Sequence, residues 1–563
     1  MAEVVADVRP LAAVLVSAIA MILIIASYRW PNVREGWSVV AALTKFGIVA
    51  SMLPGVLDGT VYVWSYGTFV PGIEFALRAD PLGMLFALLA SFLWIFTSFY
   101  AAGYMRGLDE HAQTRFFAAF AASLSTAVGI AFAQNLLTIF IFYELLSLVT
   151  YPLVAHDEDD AARFAGRKYL AYTFFGGGVF LLAGTVLTYY LTERVTGTAT
   201  TDFVTGGMPA MADVVAAEPA FAQLTFGLLV AGFGVKAAVM PLHSWLADAM
   251  VAPTPVSGLL HAVAVVKSGA FGVARVILDV YGPEQVAVTG MHVPLAALAA
   301  FTLVAASVIA LRKDNLKRRL AFSTTAQLSY IVLGLSLLHP IALIGALLHI
   351  PAHAFGKLTL FFCAGAIHVE THTDNISEMA GIGRRMPLTM TAFTVGAAGM
   401  AGIPLVAGFV SKFYLLVGGI GAGGFGSVGD DAAVLSPTLA AIFAGSLIVS
   451  GILNIAYFWP IVYTAFFETP EAHDPKPLLE HPIGGRERAV TDGGPTHGSD
   501  RDHHHHGGAP AGGWEAHTPW TESTWLMIVP IGLLAIGALV LGTVPDTAVF
   551  LELVTYIVEV VDP

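Results

Sequence analysis

Five titratable side chains stand in runs that are otherwise apolar: Glu144 in FIFYELLSLV, Lys236 in GFGVKAAVMPLHSW, Lys267 in HAVAVVKSGAF, Lys357 in HAFGKLTLFF and Lys412 in GFVSKFYLL. A charge near a bilayer centre costs at least about 2.5–3.5 kcal/mol, so it persists where it meets a partner, a cavity or an ion path. A lone buried carboxylate or ammonium favours its neutral form, and pairing restores the charge. A Glu144–Lys236 pair whose separation or hydration changes is therefore a charge switch, in which Lys236 can release its proton when the partners part. The alternative is a fixed ion pair that locks two helices together. Such a string reads first as a proton or cation pathway.

His349, His353 and Lys357 extend the string. They fall at i, i+4 and i+8 and so share one helix face. Two imidazoles, with reference pKa near 6.5, beside a lysine make a relay that water can bridge. Pro351 between them deletes a backbone hydrogen bond and leaves a carbonyl free for water or a cation. His-x3-His can also chelate zinc, but no third ligand is evident and Lys357 would repel the ion; polar contact between helices is the remaining alternative. Lys267 lies 13 residues beyond Thr254 (267 − 254), near mid-span, which argues against snorkelling to the interface. His261 stands about 240° around the helix from it and reads as a packing or hydrogen-bonding member of the pathway. Lys412, after Pro404, would end the line and exchange protons with the outer face or a neighbouring subunit.

These residues need helices in a membrane to hold them. The chain is 56% hydrophobic and 12% charged, against about 25% charged for a soluble domain, and its net charge of −13 excludes a nucleic-acid partner. Runs long enough to cross about 30 Å of hydrocarbon predict fourteen spans, near 11–28, 37–57, 80–102, 116–133, 135–154, 168–191, 222–247, 254–281, 292–311, 318–339, 341–369, 386–418, 436–468 and 524–545. The first reads as a retained helix rather than a signal peptide, because MAEVVADVRP lacks a basic start. The tail from Val549 to Val561 is too short to span easily. Loops after odd-numbered spans carry the arginines and lysines, including Arg29, Arg106, Arg115, Arg163, Arg312, Lys317 and Arg384; loops after even-numbered spans carry only Arg78 and Arg194. Positive charge stays inside, so the odd loops are expected in the cytoplasm and both termini outside the cell membrane.

Two spans are expected to be broken: the seventh at Pro241, and the twelfth through Gly399, Gly402, Pro404 and Gly408. Discontinuous helices at corresponding places in two halves point to an inverted-repeat transport site. The expected fold class is an all-α membrane protein of about 14 transmembrane helices with two inverted five-helix repeats. Its parts are three helices in 1–110, repeats in 111–285 and 286–470, a disordered His-rich cytoplasmic loop in 471–522, and a helix and tail in 523–563. His503 to His506 in that loop form a weak metal-binding candidate. His368, Glu370, His372 and Asp374 close the eleventh span and could gate proton uptake, although a hydrated helix end explains them as well.

PLHSWLADAMVAPTPVSGLLHA at 241–262 resembles the signature of the antiporter-like subunits shared by respiratory complex I and the multisubunit Mrp-type sodium/proton antiporters. The similarity covers about residues 75–470. HAFGKLTLFFCAGAI, AFSTTAQLSYIVLG and IPLVAGFVSKFYLL, together with a lysine at 412, resemble the D-type component of the Mrp complex most closely. The resemblance implies a proton-translocating component of a monovalent cation antiporter that works with sister subunits on sodium ions and protons, with Glu144 and Lys236 as its functional couple. A proton-pumping membrane-arm subunit of complex I or of a membrane-bound hydrogenase is the alternative. No phosphate loop, dinucleotide fingerprint, haem motif or cysteine cluster is present, so neither a cofactor nor catalytic chemistry is expected.

Overall fold

The computed structural model describes residues 3–424, 434–470, 507–510, 512–547 and 549–561. The start is α1 (Arg9–Ala26), α2 (Pro31–Leu57), α3 (Pro81–Gly107), α4 (Gln113–Phe132) and α5 (Leu136–Val154). Caps set several of these boundaries: the Asp80 carboxylate accepts from the Gly83 amide ahead of α3, and the Asn135 side chain from the Thr138 amide ahead of α5.

An all-α reading needs one correction. Glu3–Ala6 (β1) pairs in parallel with Thr60–Val70 (β2), which pairs antiparallel with Ile73–Ala79 (β3). TVYVWSYGTFV is β-branched or aromatic at every position but Ser65 and Gly67, the composition that favours a pleated ribbon, and it lies between spans.

The next segment, α6 (Asp160–Leu170), a π-helical turn (Ala171–Gly177) and α7 (Gly178–Thr196), forms one continuous rod. A short helix, α8 (Pro209–Ala217), precedes α9 (Pro219–Lys236). The seventh span is broken as expected, but the helix stops at Lys236, ahead of Pro241. Residues 237–243 are unwound, Ala238 takes a left-handed φ of 54°, and α10 (Ser244–Asp248) resumes the helix. Proline disfavours helical backbone in the residue before it, so the unwinding spreads backward.

The eighth span is broken as well, which the sequence does not announce. It runs as α11 (Thr254–Gly258), a π turn (Leu259–Val263), a distorted Ala264 (φ −115°, ψ −69°), α12 (Val265–Arg275) and a second π turn (Val276–Tyr281). Then come α13 (Pro283–Thr289), α14 (His292–Leu311), α15 (Leu316–Ser336) and α16 (Pro340–Thr371), which passes through Pro351 without ending. The twelfth span breaks as expected, into α17 (Pro387–Ala401) and α18 (Ala407–Gly421), with Gly402 (φ 82°) and Leu405 (φ 75°) left-handed between them. The chain closes with α19 (Pro437–Phe467), α20 (Trp525–Thr543) and α21 (Val549–Val561).

Among the described residues, 11 helices are long and apolar enough to cross a membrane. The expected spans at 254–281, 318–339 and 386–418 are not among them: the first and third are in pieces, and the first turn of α15 carries Lys317, Arg318 and Arg319. At the centre, α16 packs against α15, α17, α18 and α20.

The His503–His506 run lies outside the described residues. The end of that expected loop is docked rather than free. Trp514 donates its indole N–H to the Ala380 carbonyl at 2.8 Å, and buried Glu522 accepts from the Leu388 and Thr389 amides, each at 2.8 Å, and from the Thr389 hydroxyl at 2.6 Å. Glu522 thus satisfies orphan N–H groups at the start of α17, where an anion is also favoured by the helix dipole.

Candidate functional site

The breaks in α9–α10 and α17–α18 place two lysine heads against backbone carbonyls inside the bundle. Lys236 is the last residue of α9 and fully buried. Its Nζ donates to the Tyr143 carbonyl at 2.5 Å and lies 3.4 Å from the centroid of the Tyr143 ring, a desolvated cation–π contact worth about 2 kcal/mol. Tyr143 is fixed in turn: its hydroxyl donates to the Gly232 carbonyl at 2.7 Å, one turn before Lys236.

Glu144 is half-buried and its Oε1 has no hydrogen-bond partner. No ion pair joins it to Lys236; the lysine is turned to the neighbouring residue of α5 instead. The carboxylate rests against Gly178, the first residue after the π turn, where a Cβ would stand 2.6 Å from Oε1. A π turn often marks a functional site in a helix. Here it presents bare backbone to an acid.

Lys267 and His353 are in direct contact across α12 and α16, Nζ to Nδ1 at 2.8 Å, both fully buried. The distortion at Ala264 sits three residues before Lys267. Helix α12 approaches the unwound end of α9 very closely: a Cβ on Gly269 would lie 2.2 Å from the Ala237 amide nitrogen. His353 Nε2 is left without a partner.

His349, one turn away, has its ring centroid 6.1 Å from that of His353. Its Nδ1 meets the Ser411 hydroxyl at 2.8 Å and its Nε2 the Gln327 Oε1 at 3.0 Å. Gln327 continues the line by donating to the Met400 carbonyl at 3.4 Å. That carbonyl, at the frayed end of α17, also accepts from Asn454 at 3.1 Å and from Lys412 Nζ. Lys412 is half-buried along its stem, yet its head turns inward, 4.7 Å from the buried Tyr330 ring. Lys357 is fully buried and donates to the Leu320 carbonyl of α15 at 3.0 Å.

His261 is the predicted member that stands apart. Both its ring nitrogens are without hydrogen bonds, and it packs on Phe361 with ring centroids 4.7 Å apart. Residues that sequence reasoning missed are Tyr143, Gln327, Ser411, Asn454 and the Met400 carbonyl. Only Gln327 and Asn454, polar amides in apolar helices, left a signal.

Near the end of α16, His368 Nδ1 meets Asp374 at 3.0 Å. Burial would raise the Asp374 pKa, but the hydrogen bond and charge of His368, with Lys317 nearby, hold it below the usual carboxylate value. Burial raises the pKa values of Glu110 and Asp157, and both sense His368 and Lys317. One end of the bundle therefore gathers Glu110, Asp157, His368 and Asp374 within electrostatic reach of one another.

Residues 133–428 match a family described as NADH:quinone oxidoreductase/Mrp antiporter, transmembrane. The chain belongs to this family. Among relatives, NADH-quinone oxidoreductase subunit N of Desulforudis audaxviator is 32% identical over 430 residues, 74% of this chain and 77% of that protein. The A/B component of a probable K(+)/H(+) antiporter of Rhizobium meliloti is also 32% identical, over 78% of this chain but only 42% of its own greater length. The fold is that of a chain in the solved Mrp complex from a Dietzia species, with TM-score 0.74, 22% identity and coverage of 99% of this chain and 97% of that one. The matched family segment contains every one of the buried residues described from Glu144 to Lys412.

Proposed function

We propose that this chain is the proton-translocating subunit of a multisubunit monovalent cation/proton antiporter of the Mrp type, most similar to its D-type component, working in the cell membrane with sister subunits and exchanging external protons for internal sodium. The observation that carries the reading is the line of buried cations, each head on a carbonyl or an imidazole rather than a carboxylate. A buried ammonium without a counter-ion is costly and is readily discharged, so each of these lysines can alternate between a charged and a neutral state. Protons would move along the membrane plane through Lys236, Lys267, His353, His349, Lys357 and Lys412, with water bridging the gaps. Glu144 would set the charge of Lys236 by approaching and leaving it. His261 belongs to the walls of this path.

In this reading the broken segments at 254–281 and 386–418 and helix α15 also span, giving fourteen crossings in two inverted five-helix repeats with both termini outside. The breaks beside Lys236 and Lys412 support the repeat, although one lysine precedes its break and the other follows it.

A second reading is favoured by the 32% identity over 430 residues to a quinone oxidoreductase component: the same line would pump protons in a redox complex. Sodium-dependent proton movement in inverted vesicles holding the whole complex separates the two. Exchange driven by a sodium gradient without electron donor supports the antiporter; proton movement only with an electron donor supports the redox complex.

A further inference from the structure

Outside the buried line, the turn between α3 and α4 meets the turn after α5. Glu110 and His111 come from the first and His156 from the second, and their ligand atoms all lie within 4.8 Å of one another. Glu110 Oε2 is the shared corner, 3.8 Å from His111 Nδ1 and 4.0 Å from His156 Nε2.

The histidines are prepared unequally. His111 Nε2 lies 3.0 Å from the His156 carbonyl. A carbonyl can only accept, so Nε2 carries the proton. A histidine that ligates a metal commonly donates its other ring N–H to a backbone carbonyl, and this bond leaves the Nδ1 lone pair facing the Glu110 carboxylate. An acceptor opposite an acceptor calls for a cation between them. Protonation of His111 would answer that one contact, but it does nothing for His156.

His156 has a fully buried side chain, and neither ring nitrogen has hydrogen-bond geometry to any group. The ring sits against His111, with centroids 4.7 Å apart, and edge-on to Phe116 at 5.7 Å. Arg115 is occupied elsewhere: it donates to the His156 carbonyl at 2.8 Å and pairs with Glu158.

We propose that Glu110, His111 and His156 form a transition-metal site, best suited to Zn2+, that ties the α3–α4 turn to the end of α5. Two imidazoles and one carboxylate suit a tetrahedral zinc with one position open to water. Zinc bonds of about 2.0–2.2 Å put neighbouring ligand atoms roughly 3.4 Å apart, so small side-chain shifts complete the site. The ion would pin α5, the helix that carries Glu144, at its end beside His368 and Asp157.

The test uses the full chain in its complex, carrying His503→Ser, His504→Ser, His505→Ser and His506→Ser so that the histidine run contributes no ligands. Co2+ is titrated and read by its visible absorption, then displaced with Zn2+, and metal per chain is measured by atomic emission. One ion per chain is expected, with affinity falling at least tenfold in His111→Gln, Glu110→Gln and His156→Gln. The first two residues are partly exposed, so their variants decide the outcome if His156→Gln fails to fold. Binding of no stoichiometric ion, or full affinity in both Glu110→Gln and His111→Gln, overturns the site.

Discussion

Lys267 Nζ and His353 Nδ1 lie 2.8 Å apart, and among the described residues no carboxylate is hydrogen-bonded or ion-paired to either. A protonated lysine donates to the imidazole lone pair; a neutral one accepts from an Nδ1–H. The same contact therefore fits the proton on either partner, and His353 Nε2 stays free to hand it to water. His353→Ala should lower exchange by at least tenfold at unchanged complex yield, whereas His261→Ala should keep most of it. Equal losses in the two would mean that the contact has no special part in transport.

The Gly178 approach tests whether Glu144 must move. A Cβ there would stand 2.6 Å from the carboxylate, and overpacking of this kind typically costs about 1–3 kcal/mol. Gly178→Val should abolish exchange, like Glu144→Gln, while the complex still assembles. Wild-type exchange in Gly178→Val would rule out a carboxylate poised against that glycine.

His156 gives a pH expectation for the metal-free protein. Its folded pKa of about 4 lies below the ordinary value of 6.5. As pH falls from 6.5 towards 4 the unfolded chain takes up a proton that the folded chain refuses, so stability drops across that window. Melting temperatures of the metal-free complex should fall in this range, and less steeply in His156→Gln. Parallel slopes would contradict a buried neutral ring.

Much of this was legible in the sequence, and the misses have physical causes. The lysines announced themselves because a charge in an apolar run has few explanations, and the breaks near Pro241 and Gly402 because proline and glycine disrupt helices. The break at Ala264 carries no such residue; it arises from π turns, which local sequence does not encode. The carbonyl of Met400 is invisible too, since every residue has one and only the fraying of α17 frees it. The sheet was hidden by reading β2 as a loop between spans. Glu522, in Gly- and Pro-rich surroundings, looked solvated, yet it caps a helix 133 residues away in sequence (522 − 389).

Glu522→Ala should lower the melting temperature of the complex, since it strands two amides and a hydroxyl, a loss of about 1–3 kcal/mol. Glu522→Gln, which keeps one acceptor, should fall between it and wild type. No change in either would mean the C-terminal segment is not docked in the membrane-bound protein.

The lateral line itself is tested most directly by proton exchange in inverted vesicles carrying Lys236→Ala, Lys357→Ala or Lys412→Ala at matched complex levels. These lysines sit on α9, α16 and α18, and only a path that runs through all of them makes them equivalent. The account predicts comparable loss, at least tenfold, in all three. Loss in Lys236→Ala with near-normal exchange in both Lys357→Ala and Lys412→Ala would contradict it and leave a local pore at α5 and α9.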